Sequence, residues 1–519
     1  MDTNNQYIRI SMKNKSVLVL AICLLLTSCI VGPDYRRPNL LVPSEFKEEK
    51  GQTQVKKIPA PNDKNWKPIQ PQELCERGEW WKIFNDPLLN DLEEQLNRYN
   101  QNIVNAEANY RQALAIVDQA RAGLFPTLTG AFSLFRQKQG SGTTSFISSS
   151  GGSTTTGIVS GTENVVSRTS TTYSTVLSAT WEPDLWGLVR RTIEANVSTA
   201  QSNAALVALT RLSAQSSLAQ FYFELRTLDT DQKLLNETVI AYKKTLQLTR
   251  NQYKSGIASR AAIVQAQAQL ESAQALALNN GILRGQYEHA IAVLMGRPPA
   301  FLTLKFMPLQ LKTPTIPLEV PTVWLERRPD IAQAERLVQN RSALIGVAIT
   351  AYFPTLTLTG SASAAGNSFH HLIHTPSIGW SAGMQVAETL FDAGFRAATV
   401  RAAKEAYYAQ IAIYRQTVLT AFQDVEDNLI ALRILKEQLR VQKKAAASAE
   451  LALKLVINQY KAGTVDYASV ITAQIAAYTA QKTANDNAGL LLTAEVGLVK
   501  ALGGSWNTQS PGCAAMAHK

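Results

Sequence analysis

The pentapeptide Phe-Pro-Thr-Leu-Thr occurs at 125–129 and again at 353–357, an offset of 228 residues. The same offset lays Ile103 on Ile331, Ala106-Glu107 on Ala334-Glu335, and Ala115 on Ala343. Further on, Asn251-Gln252-Tyr253-Lys254-Ser255-Gly256 returns as Asn458-Gln459-Tyr460-Lys461-Ala462-Gly463 at an offset of 207, which Gly187 and Gly394 share. The chain is a tandem duplication, and any fold assigned to it has to be built twice. The two offsets differ by 21 residues, so one length change lies between Thr129 and Gly187. There the Ser/Thr/Gly-rich tract 140–172 makes the longer loop of copy one.

Each copy reads in the same order. A helical stretch, 89–122 or 331–349, precedes the proline of the pentapeptide. In the alternating segment that follows, Leu128, Gly130, Phe132 and Leu134 share one face, with Thr127, Thr129 and Ser133 on the other. In copy two, Leu356, Leu358, Gly360 and Ala362 oppose Thr355, Thr357 and Ser361. Past a polar loop the alternation returns in Tyr173, Thr175, Leu177 and Ala179, and in Trp380, Ala382, Met384 and Val386. Period two with one apolar face predicts strands, and about ten residues suffice for a tilted strand to cross a bilayer.

Proline-free stretches follow at 188–254 and 395–461, with apolar spacing of three and four as in Phe422, Val425, Leu429 and Leu432. A helix of ~65 residues is roughly 100 Å long, which suits coiled-coil packing rather than a globular core. Gly256 and Gly463 supply the left-handed cap residue that ends it, and a further helix of ~35 residues runs to Leu294 or Leu502. The two shorter helices of each copy can stack end to end beside the long one. Sequence outside the repeat then meets at mid-length, predicting a helical barrel with an irregular belt at its waist.

At the N-terminus, Arg9, Lys13 and Lys15 precede an apolar run from Val17 to Leu26, and Leu26-Thr27-Ser28-Cys29 closes it. Basic head, short apolar core and small residues before a cysteine are the layout of a bacterial lipoprotein signal. The run of about ten residues is too short to span a bilayer. Met12-Lys13-Asn14-Lys15 is itself a complete basic head, which makes Met12 an alternative start. Cys29 is therefore the expected lipidation site, anchoring the chain to outer-membrane lipid. Of the remaining cysteines, Cys75 and Cys513 make no disulfide framework in so long a chain, although export would permit them to pair.

The net charge of +11 is spread along helices among Glu and Asp, the pattern of solvated faces rather than of a nucleic-acid partner. Four strands cannot close a membrane barrel, and backbone groups in lipid must all be paired. A ring of identical subunits is the usual solution, and three copies would give twelve strands, within the range of such barrels. The expected segments are a signal peptide at 1–28, a lipidated belt segment at 29–88, and a first repeat at 89–296. A waist linker at 297–322, a second repeat at 323–502 and a tail at 503–519 complete the chain.

The motifs themselves resemble those of the outer-membrane efflux protein family, the TolC-type channel-tunnels, and within it the lipoprotein branch that serves resistance-nodulation-division pumps. The resemblance rests on Cys29 with Val31-Gly32-Pro33-Asp34-Tyr35 and Pro38, on Trp80-Trp81, Phe84 and Asp86-Pro87-Leu88, and on Glu326-Arg327-Arg328-Pro329-Asp330-Ile331. It also rests on both Phe-Pro-Thr-Leu motifs, on 421–427 (Ala-Phe-Gln-Asp-Val-Glu-Asp) and on Ala501-Leu502-Gly503-Gly504. It covers nearly all of the mature chain. It implies a mixed α and β homotrimer, with a 12-stranded transmembrane β-barrel and a long periplasmic α-helical barrel. The implied partners are a periplasmic adaptor protein and an inner-membrane pump, without cofactor, metal or enzymatic activity. The implied activity is passive conduction of small molecules (drugs, toxic compounds or metal ions) out of the periplasm.

In that family the closed periplasmic tip is held by residues just beyond the Tyr-x-x-Gly turns, often acidic ones one turn apart. Here those positions carry Ser469 and Thr472, with Ala262 and Gln265 in copy one; Asp466 is the only acid close by. The tip and gate set is thus Tyr253, Gly256, Ala262, Gln265, Tyr460, Gly463, Asp466, Ser469 and Thr472. Either hydroxyl hydrogen bonds with packing by Tyr253 and Tyr460 close the tip, or these residues only pack helices.

No phosphate loop, Gly-x-Ser-x-Gly elbow or His-Glu-x-x-His pair is present. His370, His371 and His374 have ligand-like spacing, but in a loop between strands that is read as exposed and polar. Two other readings remain: the duct of a type I protein secretion system, and a non-conducting coiled-coil structural lipoprotein, which would have no use for paired hairpins.

Overall fold

A computed structural model of the chain describes residues 30–39, 47–48, 79–139, 142–147, 160–165, 168–311, 314, 327–371 and 378–504. Cys29 and the signal before it, Cys75, Glu326, His374 and Cys513 lie outside the described residues. After a 3-10 turn at Trp80–Phe84 the order is α1 (Pro87–Tyr99), α2 (Gln101–Ala122), β1 (Thr127–Gln139), β2 (Gly142–Ile147), β3 (Ser160–Val165) and β4 (Arg168–Trp181). Then come α3 (Leu188–Lys254), α4 (Arg260–Leu294), α5 (Pro329–Thr350), β5 (Thr355–Gly366), β6 (Ile378–Ala387), α6 (Phe395–Lys461) and α7 (Tyr467–Ala501). The duplication shows directly: α2 and α5 have 22 residues each, α3 and α6 67, and α4 and α7 35.

Two differences from the sequence reading have local causes. The single helix expected over 89–122 is broken at Asn100. Its carbonyl side chain accepts from Asn102 N and Ile103 N at 2.9 and 3.1 Å, capping α2, while its amide donates to Leu294 O at 2.7 Å. A residue that caps the next helix cannot continue the last one. The tract read as a polar loop contains β2 and β3, whose pairing continues that of β1 and β4 without a slip: Gln139 faces Arg168, and Gly142 faces Val165. Threonine-rich sequence favours the extended backbone, and an unbroken register lets the hairpin run on.

The chain divides into two compact units, residues 1–34, 116–196 and 342–405 in one and 35–115, 197–341 and 406–519 in the other. The first holds the sheet. Each Phe-Pro-Thr-Leu motif sits where helix becomes strand, proline preventing further helix. The indoles there donate to nearby backbone, Trp181 to Leu124 O at 3.1 Å and Trp186 to Pro354 O at 2.8 Å.

In the second unit, Trp80, Trp81 and Phe84 seat on Leu218, Tyr222, Phe223 and Leu225 near the middle of α3, with Leu492, Val496 and Val499 of α7 in the same core. The linker docks beside them through its backbone: Met307 N donates to Asp229 at 3.0 Å, Leu309 N to Thr230 Oγ1 at 2.8 Å, and Arg284 to Leu304 O at 2.7 Å. Arg328, buried, donates to Ala501 O at 2.8 Å and to Asp424 at 3.1 Å, tying the Arg-Pro-Asp motif to α6 and α7. Among the described residues no helix is long and apolar enough to cross a membrane.

Candidate functional site

Two regions carry the candidate function, the sheet and the far ends of the long helices. The sheet is antiparallel with order β1-β4-β5-β6. Its register brings the alternating residues of all four strands onto common faces. Leu128 pairs with Ala179, Gly130 with Leu177, Leu177 with Ala362, Leu358 with Met384 and Leu356 with Val386. The opposite face is hydroxylated, with Ser133 beside Ser174 and Ser361 beside Ser381, oxygens 2.6 and 2.9 Å apart. On the apolar face Trp380 is 82% exposed, Met384 71% and Leu128 68%. Large side chains so exposed on one sheet face mark a surface that is not meant for water. β1 and β6 are the sheet's edges, so each has one side unpaired among the described residues.

At the other region, α3 ends at a turn in which Gly256 (φ 76°) follows the last helical residues, and α6 ends likewise at Gly463 (φ 75°). Ile257 N donates to Gln252 O at 2.9 Å and Thr464 N to Gln459 O at 3.0 Å, the six-residue closure for which glycine is the usual left-handed residue. The next helices are capped by Ser259, whose hydroxyl accepts from Ala262 N at 3.2 Å, and by Asp466. Asp466 accepts from both the amide and the hydroxyl of Ser469, at 3.0 and 2.7 Å, and these bonds hold its carboxyl below the ordinary carboxylate range.

The tip residues named from sequence take different places. Tyr460 and Ala262 are buried in one cluster with Leu246, Ala266, Tyr467 and Val470. Tyr253, Gly256, Gln265, Gly463, Asp466, Ser469 and Thr472 are exposed. The two tyrosines therefore part: Tyr460 is a packing residue, and Tyr253 faces out. The Thr472 hydroxyl donates to Ala468 O at 3.0 Å, within its own helix.

Three side-chain hydrogen bonds join the two copies at this end, all of them on α3. Tyr460 OH donates to Thr249 Oγ1 at 3.1 Å, Gln252 Nε2 to Tyr460 O at 2.9 Å, and Gln474 Nε2 to Thr245 Oγ1 at 3.2 Å. Thr245, Thr249, Gln252 and Gln474 are all buried, and sequence reasoning passed over them. Their signal was available: polar residues at spacings of four and three on one helix face, where an apolar stripe would be expected. In a low-dielectric contact such bonds fix register, because leaving either partner unpaired is costly.

His370 lies in a short turn at Phe369–His371 and is exposed. Among the described residues no group of three or more His, Cys, Asp or Glu side chains could hold a metal ion.

The profile of the family described as "Outer membrane efflux protein" matches residues 92–297 and 320–504. The probable efflux pump outer membrane protein TtgC of Pseudomonas putida is 29% identical over 503 residues, covering 96% of this chain and 97% of its own. The pyoverdine export outer membrane protein OpmQ of Pseudomonas aeruginosa is 29% identical over 515 residues, with 97% and 99% covered. Among solved structures, the outer-membrane channel OprN superposes with a TM-score of 0.76 at 26% identity, covering 92% of this chain and 100% of that one.

Proposed function

The chain belongs to the outer membrane efflux protein family and is an outer-membrane efflux duct, and we propose that it works as a lipid-anchored homotrimer that completes a tripartite pump. The family forms channels and is not one of enzymes. The observation that carries the trimer is the sheet with two unpaired edges. A four-stranded sheet in lipid leaves a row of N–H and C=O groups unmatched on each edge, several kcal/mol for each group. Joining β1 of one copy to β6 of the next removes that cost by a head-to-tail contact, and such contacts form a ring when the rotation between copies closes.

With three copies the barrel has twelve strands. The Leu, Trp and Met face meets lipid and the Thr and Ser face lines a wet lumen. Cys29 carries the acyl anchor. The helices extend into the periplasm, where an adaptor and an inner-membrane pump engage them, and the exposed tip residues Gln265, Asp466, Ser469 and Thr472 border the closed entrance. Within this reading the functional segments are the belt 29–88, the repeats 89–296 and 323–502, the linker 297–322 and the tail 503–519.

The test is assembly and conduction. Protein extracted in detergent should sediment as three chains and produce discrete conductance steps in planar bilayers. A water-soluble monomer, stable without detergent, sinks the trimeric barrel.

A further inference from the structure

The side chain of Arg191, at the start of α3, is 4% exposed. Its Nε donates to Val31 O at 3.2 Å, and its Nη2 donates to Gly32 O and to Asp34 Oδ1, both at 3.1 Å. Nη1 is bound to Glu194 at 2.7 Å. Three of the four contacts therefore go to residues 31–34, two of them to main-chain oxygens. Residues 31–34 thus supply most of the acceptors that pair a buried cation, and a buried charge short of partners is expensive.

The walls of this socket are built for backbone. Gly32 has φ 106°, and a Cβ there would lie 2.5 Å from Gly346 Cα in α5. A Cβ on Gly346 would in turn stand 3.0 Å from three atoms of Arg191. Ile30 rests on Gly187, and Val31 N donates to Trp186 O at 3.2 Å. Trp186 is stacked on Phe353 at 4.8 Å, so residues 30–34 are joined to the place where α5 gives way to β5.

The repeat supplies an internal control. At the offset of 207 Arg191 corresponds to Ala398, and at the offset of 228 Gly346 corresponds to Asp118. Both are exposed. Each copy had the same helices with which to build a socket, yet both walls depart from the repeat where this unduplicated segment docks. Ordinary helix packing would have been served by the same residues in both copies.

We propose that Arg191 is the positioning residue for the chain's N-terminal segment: it holds residues 30–34 at the strand–helix junction by their main-chain oxygens, and so fixes where the lipid on Cys29 enters the membrane. The docking itself needs no lipid; its consequence for the anchor rests on the reading of Cys29 as the acylated residue.

Hydrogen exchange at the Val31 amide of the full-length protein in detergent micelles tests this. Arg191→Met should speed that exchange about tenfold or more, while the β1 amides keep their protection. Gly32→Ala, which changes no residue of α3 or α5, should do the same. Arg191→Lys should not restore protection, because one ammonium cannot serve acceptors fanned around a planar fork. Cys29→Ser should leave Val31 protected. Unchanged exchange in Arg191→Met overturns the proposal whatever Gly32→Ala does, as does loss of protection in Cys29→Ser equal to that in Arg191→Met. The mass of the N-terminal peptide separates the two readings. An unacylated peptide with Arg191-dependent protection overturns the lipid assignment alone and leaves the docking standing.

Discussion

The Tyr460 hydroxyl donates to Thr249 Oγ1 across 3.1 Å, linking the end of one long helix to the end of its duplicate. Thr249 also donates to Thr245 O at 3.0 Å. Removing the tyrosine hydroxyl therefore strips one bond without isolating its partner. Tyr460→Phe should cost about 1 kcal/mol and leave conductance unchanged. Tyr460→Ala empties an aromatic site, costing about 3–5 kcal/mol, and should loosen the tip and raise single-channel conductance. Equal conductance in all three proteins would put the constriction elsewhere.

The exposed hydroxyls at 469 and 472 make a second prediction. Three equivalent carboxylates around an entrance bind cations and shrink conductance, whereas hydroxyls do not. Bilayer recordings of the wild type should respond weakly to millimolar divalent cations, and Thr472→Asp should introduce block from the periplasmic side. Strong block of the wild type would point to Asp466, whose carboxyl is held ionised by Ser469.

Much of this was legible in sequence, and the reasons differ by element. The four strands of the main sheet could be read because period two on a one-sided sheet leaves Leu128, Phe132 and Leu134 in one row, whereas β2 and β3, in the tract read as a polar loop, could not. The long helices could be read because nothing in 188–254 interrupts them before the glycine. Asn100 could not be read as a break, since an asparagine interrupts a helix only when its side chain turns back to cap, and that depends on Leu294 being near. Tyr253 and Tyr460 are the same residue of the repeat, yet one is exposed and the other buried. Duplication fixes their backbone, and the neighbours decide the rest. The Arg191 contacts join positions some 160 apart in the chain, beyond any local pattern.

Lipid exposure of the apolar sheet face predicts a depth-dependent penalty. Leu128→Arg should cost about 2–4 kcal/mol if the site lies near the bilayer midplane, seen as a lower yield of heat-resistant trimer on semi-native gels. Thr129→Arg, on the opposite face, should assemble and alter ion selectivity instead. Equal tolerance of both would contradict the assignment of the faces.

Two buried carboxyls predict the pH dependence of stability. Neither oxygen of Glu93 has a hydrogen-bond partner among the described residues, and burial holds its carboxyl well above the ordinary range. Burial pushes Glu495 up to about 8, against the pull of Lys436. Between the ordinary carboxylate range and the raised value the native chain keeps a proton that the unfolded chain has lost, so stability falls as pH rises. Glu495→Gln should therefore melt near the wild type at pH 4 and above it at pH 8, by on the order of 2 kcal/mol after partial solvent screening. Coincident melting curves at pH 8 would show that the site opens to water.

The paired helices of 22, 67 and 35 residues have a consequence for how such a chain can change. One residue added inside a helix turns everything after it by about 100° and advances it by about 1.5 Å. Past the insertion, every buried side chain would rotate into solvent and every bridge such as Gln474 to Thr245 would be thrown out of line. The hairpins carry no such constraint beyond their shared register, and there the copies have diverged freely, the hairpin of copy one (127–181) being longer than that of copy two (355–387). Evolutionary novelty in this chain is thus channelled to the outward turns, while the helices behave as a fixed ruler.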